Sequence, residues 1–452
     1  MRLVKWTRGL TCAAMMVTLA MGAGSARAQE PPPAEPAKAP APRFALAFEE
    51  PIPLPSPDGA TQDRLTLTEA AELAVAYHPA LVEAEGRLRA ARGNWLQVGL
   101  KPNPEIGYAG NEIGNEGEAG QQGGFVSQEF VTAGKLGLSR EVAMRDVAAA
   151  EQRFEQARLQ VVTTAQIYYF EVLAAQRAMA LAKQLSNIAE QAVQVSELRL
   201  KALDIPRSSL LQSQIERESA ALLQQQAIQR YDAAWRRLAA AIGIDEQRPK
   251  LLDDVLLRPL PELEWETTRE RILANSPELA ELRFAVERAR WAVDRASAGR
   301  VPNVNVQAGV AHDHASDDTI ANVQVSLPLP VFNRNQGGIA AAWGELTAAQ
   351  AALQQRQLAL EQRLAIALRD YATSRQRVER YAESILPAAR ESLELINAGY
   401  QQGELDYVQV LSVQQTYAQA NLAYLQDLET AWKKWAQIES FLVGPLPDAR
   451  ID

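Results

Sequence analysis

The chain has 452 residues, 47% of them apolar and 22% charged, enough to bury a sizeable core and too apolar for a disordered polymer. Its formal charge is −9, which argues against nucleic-acid binding as a main task. The single cysteine, Cys12, and three histidines leave little material for disulfides, thiolate metal sites or nucleophilic catalysis.

Residues 1–28 read as an export signal. Arg2, Lys5 and Arg8 give a positive start, Gly9 to Ala23 an apolar stretch, and Ala26-Arg27-Ala28 a small-x-small cleavage site. Cleavage there removes Cys12 and four positive charges, so the formal charge moves from −9 to −13. Gly9 stands where a lipoprotein signal would carry leucine. Residues 29–62 read as a tether, because residues 31–57 hold ten prolines among Ala, Glu and Lys, a composition that stays extended and solvated. The folded part is expected from residue 63 to 452. No stretch of 18 apolar residues follows the signal, so an exported chain of this kind is periplasmic, secreted or a β-barrel.

Between 138 and 242 there is no glycine and one proline, Pro206; between 345 and 398 there is no glycine and one proline, Pro387. Both runs predict very long helices. Their apolar residues recur at steps of three and four, as in a coiled coil. Val147, Phe154, Val161 and Tyr168, then Leu181, Leu185, Ile188, Ala192 and Val195, form one seam; Leu353, Leu360, Leu364, Ala367, Tyr371, Val378, Tyr381 and Ile385 form the other.

The chain also repeats itself, with halves at about 65–247 and 262–444. Tyr77-His78-Pro79-Ala80-Leu81 corresponds to Asn275-Ser276-Pro277-Glu278-Leu279, and Lys101-Pro102-Asn103-Pro104 to Val301-Pro302-Asn303-Val304. The break at Asp204-Ile205-Pro206 answers the one at Glu404-Leu405-Asp406. Each half is expected to run helix, two strands, long helix, tight turn, long helix.

The strands alternate. Val304, Val306, Ala308 and Val310 interleave with Asn303, Asn305, Gln307 and Gly309, and Val323, Val325, Leu327 and Leu329 with Asn322, Gln324 and Ser326. The first half is noisier, with Ile106 and Tyr108 in one strand and Val126, Gln128 and Phe130 in the other. Alternation also suits a half-buried strand of a soluble sheet. In lipid, four strands are too few to close a barrel, which needs about eight, so several chains must share one, and three would give twelve strands.

These residues, with the turn Ala398-Gly399-Tyr400-Gln401-Gln402-Gly403-Glu404-Leu405, resemble TolC-type outer-membrane factors from about Leu65 to Gly444. The segment Leu327 to Gly338, LPLPVFNRNQGG, resembles the branch serving heavy-metal pumps of the cobalt–zinc–cadmium and copper–silver kind. The resemblance implies a mainly α chain with membrane β: helical hairpins forming an α-barrel in the periplasm and four strands per chain in a trimeric, shared 12-stranded barrel in the outer membrane. It implies a passive efflux channel, with no enzymatic activity and no cofactor. It also implies docking of the helical turns, at Leu203, Asp204, Ile205, Gln401, Gly403, Glu404 and Leu405, onto a periplasmic adaptor and an inner-membrane RND pump. Tyr400 matches the tyrosine that helps close the tunnel; the family's gate aspartates fall on Gln409 and Ser412 and its gate arginine on Leu405, so the carboxylate ring does not carry over.

Asp204, Glu404 and Asp406 suit either turn chemistry or an acidic rim at the entrance. His312, Asp313 and His314, with Asp317 and Asp318, invite a metal reading, but they are expected in an external loop without enforced geometry. His78, before Pro79, is expected to be structural. Two other functions share some of these features. A periplasmic adaptor would show one hairpin rather than two, and a coiled-coil envelope scaffold would not need paired alternating strands.

Overall fold

The computed structural model describes residues 64–114, 117, 119–201, 203, 205–244, 249, 251–253, 256–401, 405 and 407–441. The chain divides into two units: Met1–Pro55, outside the described residues, and Ser56–Asp452, which holds all of them. The segments read as signal and tether therefore lie outside this description, as do Asp204, Gly403, Glu404 and Asp406 and the side chains of Asn397, Tyr400, Gln401 and Tyr407.

Two short helices, α1 (Leu67–Tyr77) and α2 (Pro79–Gln97), precede the strands where one was expected. Thr66 and Glu69 close a capping box at the start of α1. Pro79 forces His78 into an extended conformation (φ −73, ψ 124), which ends one helix and starts the next. His78 Nδ1 then accepts a hydrogen bond from Ala80 N at 3.2 Å, so this histidine is a cap. Ser276 and Pro277 repeat the break between α5 (Trp265–Asn275) and α6 (Pro277–Ala298).

Strands β1 (Glu105–Asn111), β2 (Gln121–Phe130), β3 (Val304–Asp313) and β4 (Asp318–Ser326) form one antiparallel sheet in the order β1-β2-β3-β4. Its two outer edges, β1 and β4, pair with no other strand among the described residues. Leu327 and Leu329, expected in the last strand, lie past its end in an irregular segment. Gly134 (φ 66) and Asn335 (φ 56) take left-handed conformations at equivalent points, where the chain leaves the sheet for a long helix.

Helix α3 (Lys135–Lys201) has 67 residues, a length of about 100 Å at the standard rise. It returns through α4 (Arg207–Ile242) after a turn in which Leu203 is left-handed (φ 64) and Pro206 precedes the first helical residue. In the second half, α7 (Gln336–Arg380), a π turn (Tyr381–Ile385) and α8 (Leu386–Gln401) run on without a break, and α9 (Tyr407–Glu439) returns. The π turn has a cause in the sequence. Pro387 has no N–H to donate, and its ring would strike the carbonyl four residues back; a wider turn ahead of it relieves both. Leu386 N accordingly donates to Tyr381 O, five residues back.

Most seam residues are where the heptad spacing puts them. Val147, Val161, Leu181, Ala192, Leu360, Leu364, Ala367, Tyr371 and Val378 are buried, and Phe154, Tyr168, Leu185, Ile188, Leu353 and Tyr381 are half-buried. Two are not. Val195 is 36% exposed, because Val193 and Ser196 take the inward positions and Ser196 Oγ meets Ser213 Oγ of α4 at 2.8 Å. Ile385 is exposed because the π turn rotates the helix out of phase.

Midway along the helices, side chains fasten irregular chain to the bundle. The Tyr169 hydroxyl, fully buried, lies 2.9 Å from Leu65 O and 2.8 Å from Asp253 O, where Leu65 and Leu252 form a parallel bridge. Burial pushes the Tyr169 phenol well above the usual tyrosine range. Tyr371 donates to Pro261 O at 2.5 Å, and Trp432 Nε1 to Leu256 O at 2.9 Å while its ring stacks on Phe170. Charges flank this belt: Lys433 bridges Glu171 and Glu429, which also hold Arg237 and Arg230.

Tyr169→Phe removes the hydroxyl that reaches Asp253 O and leaves Leu65 O with only Asp253 N, 3.1 Å away, so it should lower stability by about 0.5–1.5 kcal/mol. Tyr77, 62% exposed, is the control: thermal melts of purified protein should show a clear shift for Tyr169→Phe and none for Tyr77→Phe.

Candidate functional site

The register of the sheet sorts its side chains into two faces. Ile106, Val126, Ala308 and Val323 form one cross-strand row, Tyr108, Gly124, Val310 and Ala321 the next, and Gln128, Val306 and Val325 a third. All three belong to the same face and are apolar apart from Gln128, while the row beyond them toward the turns, Gly110, Gln122, His312 and Thr319, is polar. The apolar part is also bare: Ile106 is 85% exposed, Val323 75% and Tyr108 66%. The first-half strands, noisy as sequence, thus fall into phase with the second half.

The opposite face carries Glu105, Ser127, Gln307 and Gln324 in one row and Glu129, Asn305 and Ser326 in another. One aromatic side chain interrupts it. Phe125 sits between Gly107 and Gly309, and a Cβ on Gly107 would come within 2.4 Å of its ring; the two glycines make room for it. The four carboxylates within the strands, Glu105, Glu129, Asp313 and Asp318, all fall on this polar face, and the strands contain no Lys or Arg.

At the base of the polar face, buried Lys135 donates to Asn303 Oδ1 at 2.5 Å and Asn303 Nδ2 donates to Glu129 Oε1 at 2.6 Å. Desolvation, followed by the field of Arg295, lowers the Lys135 pKa, and Glu129 opposes them. Thr132 Oγ1 donates to Pro302 O at 2.6 Å, and Gln128 Nε2 to Pro102 O at 2.9 Å. The second Pro-Asn copy therefore ties the start of β3 to the helix that follows β2, and the first ties the start of β1 to the end of β2, roles the sequence did not reveal.

At the other end of the sheet the histidine cluster lies partly in strands, not in a loop as expected. His312 and Asp313 end β3, Asp318 begins β4, and only residues 314–317 form the turn, because Asp313 and Asp318 pair directly. His312 Nε2 is 3.4 Å from Asp317 Oδ1, whereas His314 Nδ1 is occupied 2.9 Å from Gly120 O. Among the described residues no three His, Cys, Asp or Glu side chains converge as a metal site, and no helix is long and apolar enough to cross a membrane.

Of the residues expected at the helical turns, Leu203 is 90% exposed, and Ile205 and Leu405 are half-buried. Gln401 is the last residue of α8 and Tyr400 sits one place before it. Asp204, Gly403 and Glu404 lie outside the described residues. Gly399 backs onto Leu405, whose Cδ1 would lie 2.5 Å from a Cβ there. Gln409 and Ser412 are exposed on the first turns of α9.

Against this geometry the comparisons are specific. The family model for outer membrane efflux protein matches residues 70–244 and 268–442. The cobalt-zinc-cadmium resistance protein CzcC of Cupriavidus metallidurans is 26% identical over 392 residues, covering 84% of this chain and 90% of that protein. The nickel-cobalt-cadmium resistance protein NccC of Alcaligenes xylosoxydans xylosoxydans is 25% identical over 288 residues, 62% of this chain and 64% of that one. The crystal structure of CusC, described in connection with folding and transmembrane channel formation, superposes with a TM-score of 0.72 at 17% identity, covering 84% of this chain and 92% of that one. The sequence resemblance to TolC-type factors of the heavy-metal branch thus agrees with fold and relatives alike. With both halves matched and a mainly helical chain carrying one channel-type sheet, this protein belongs to the outer membrane efflux protein family, whose place is the bacterial outer membrane.

Proposed function

We propose that this chain is the outer-membrane channel subunit of a tripartite efflux system, working with a periplasmic adaptor and an inner-membrane RND pump, and that it conducts heavy-metal cations passively and without chemistry. The observation that carries the reading is the bare apolar face of an open-edged sheet. In water such a face and such edges invite aggregation; in lipid the face is at home, but the edges must close. Three chains closing edge to edge give a homotrimer with a 12-stranded barrel. Residues 1–28 serve as a cleaved signal, 29–62 as a tether and 63–452 as the channel domain, with the long helices forming the periplasmic tunnel. The naming of its relatives for cobalt, zinc, cadmium and nickel resistance, and the exclusively acidic charges on the strands' polar face, favour cations over organic compounds.

The lipid-facing side is tested by one pair of neighbours. Val325→Arg should cost about 2–4 kcal/mol in the bilayer and deplete the channel from the outer-membrane fraction, while Gln324→Arg, on the other face, should not. Equal depletion by both would contradict this orientation.

Adaptor docking is assigned to Leu203, Asp204, Ile205, Gln401, Gly403, Glu404 and Leu405. Loss of the protein should sensitise cells to cobalt, zinc or cadmium. Gly403→Trp should reproduce that sensitivity with the trimer still in the membrane; full resistance in Gly403→Trp cells would remove the tips from docking.

Tyr400 is assigned to the gate. A hydrogen bond contributes about 0.5–1.5 kcal/mol net, and losing one per subunit shifts a balanced closed–open equilibrium measurably. Tyr400→Phe should raise conductance or open probability in planar bilayers. Wild-type conductance in Tyr400→Phe, with destabilised tips in Tyr400→Ala, would make the residue a packing group only.

A further inference from the structure

The two free edges of the sheet need partners, and the internal repeat says which residues those are. The matching Pro-Asn motifs make Asn103 equivalent to Asn303, an offset of 200 that carries Glu105 of β1 to Asn305 of β3. Within the hairpins, Glu105 pairs with Ser127 and Asn305 with Ser326. Ser127 of β2 is therefore equivalent to Ser326 of β4, an offset of 199 fixed by backbone pairing alone.

The chain also shows how its first half docks onto its second: β2 pairs antiparallel with β3, Ser127 opposite Gln307 and Phe125 opposite Gly309. Moving each partner to its equivalent turns this internal junction into an external one, between β4 of one copy and β1 of the next. We propose that a second copy of this chain closes the sheet in that register, with Ser326 opposite Gly107, Gln324 opposite Ala109 and Asn322 opposite Asn111 of the neighbour. The proposal rests on the trimeric barrel reading above and adds the register to it.

Three consequences agree with what is seen in one chain. The register keeps faces together: Val325 meets Tyr108 and Val323 meets Gly110 on the apolar side, whereas a slip of one residue would turn the apolar set toward the polar side. It places Leu327 opposite Ile106, as Gln128 stands opposite Val306 inside the chain. It also explains why β4 stops at Ser326 while its counterpart β2 continues to Phe130: β2 has β3 to pair with on that side, and β4 has nothing until a neighbour arrives.

Paired cysteines read the register directly. A Cys12→Ser background removes the only native thiol. Two double variants, Gln324→Cys with Ala109→Cys and Asn322→Cys with Asn111→Cys, are in register; Gln324→Cys with Asn111→Cys and Asn322→Cys with Ala109→Cys are two residues out. Each pair sits on opposite edges of one chain's sheet and in different cross-strand rows, more than about 14 Å apart at the usual strand spacing, too far for a disulfide within a chain. After oxidation of intact outer membranes, the in-register variants should give covalent dimers and trimers on non-reducing gels, several-fold more than the offset variants. The opposite pattern would overturn the register and leave the shared barrel standing. No bands from any variant, with the protein still a membrane trimer, would overturn edge pairing altogether. A protein that fractionates as a soluble monomer would fail the barrel reading itself.

Discussion

The rest of this structure follows from the hydrogen-bonding demand of β1 and β4. Each outer strand presents a row of N–H and C=O groups, and in hydrocarbon each unmet group costs several kcal/mol. Four strands cannot curl far enough to meet each other; in the trimer proposed above, other copies of the chain would meet the demand. The exposed apolar row of Ile106, Val126, Ala308 and Val323 makes lipid the consistent solvent for that arrangement. The same residues in water would be a liability on both counts.

The helices answer a different need. A core only a few helices thick does not require 67 residues in one of them; a long span does. Stability over that length comes from modest local contacts repeated along the seam, with the largest buried groups gathered midway. There Tyr169, Tyr371 and Trp432 each donate to a carbonyl of the irregular connecting chain. Those carbonyls lie outside the helices and the four-stranded sheet, and the side chains tie them to the bundle. Nearby, Asp427 is buried on α9 and desolvation raises its pKa, while Arg377 of α7, 3.0 Å away, pulls it down. Removing either member of such a pair is costlier than the pair's own net contribution suggests.

Helix length, duplication and strand alternation could be read from the sequence because each is a periodic signal. What could not be read depended on neighbours distant along the chain. Ile106, Tyr108 and Val126 looked out of phase until cross-strand pairing aligned them with Val306 and Val323, and Phe125 blurred the pattern because its room is made by Gly107 and Gly309. Val195 was misplaced because small buried side chains, Ser196 and Ser213, bring α3 and α4 together. Ile385 was misplaced because a proline two residues on changes the helical pitch before it. Composition alone does not show where a hairpin turns, so it suggests a loop at His312; the Asp313–Asp318 pairing places that residue in β3. The tips were legible as breaks in two helical runs, but the chemistry of Leu203, Leu405 and Tyr400 there came only from the family resemblance.

The halves, alike in plan, are unequal in stiffness. Helix α3 keeps its hydrogen-bond ladder from Lys135 to Lys201, whereas its counterpart changes pitch at Tyr381–Ile385, ahead of Pro387. Beyond that point the second hairpin is held by few buried apolar groups: Ala192, Val410 and the half-buried Ile396 make the cluster there. Local opening free energy follows buried contact and intact ladders, so among the described residues the second hairpin beyond the π turn is held less tightly than α3. The gate proposed at Tyr400 would make use of that inequality. If both hairpins were equally continuous and equally packed, a local change at the tip would be absorbed by the whole bundle; with one hairpin interrupted, it would be felt locally.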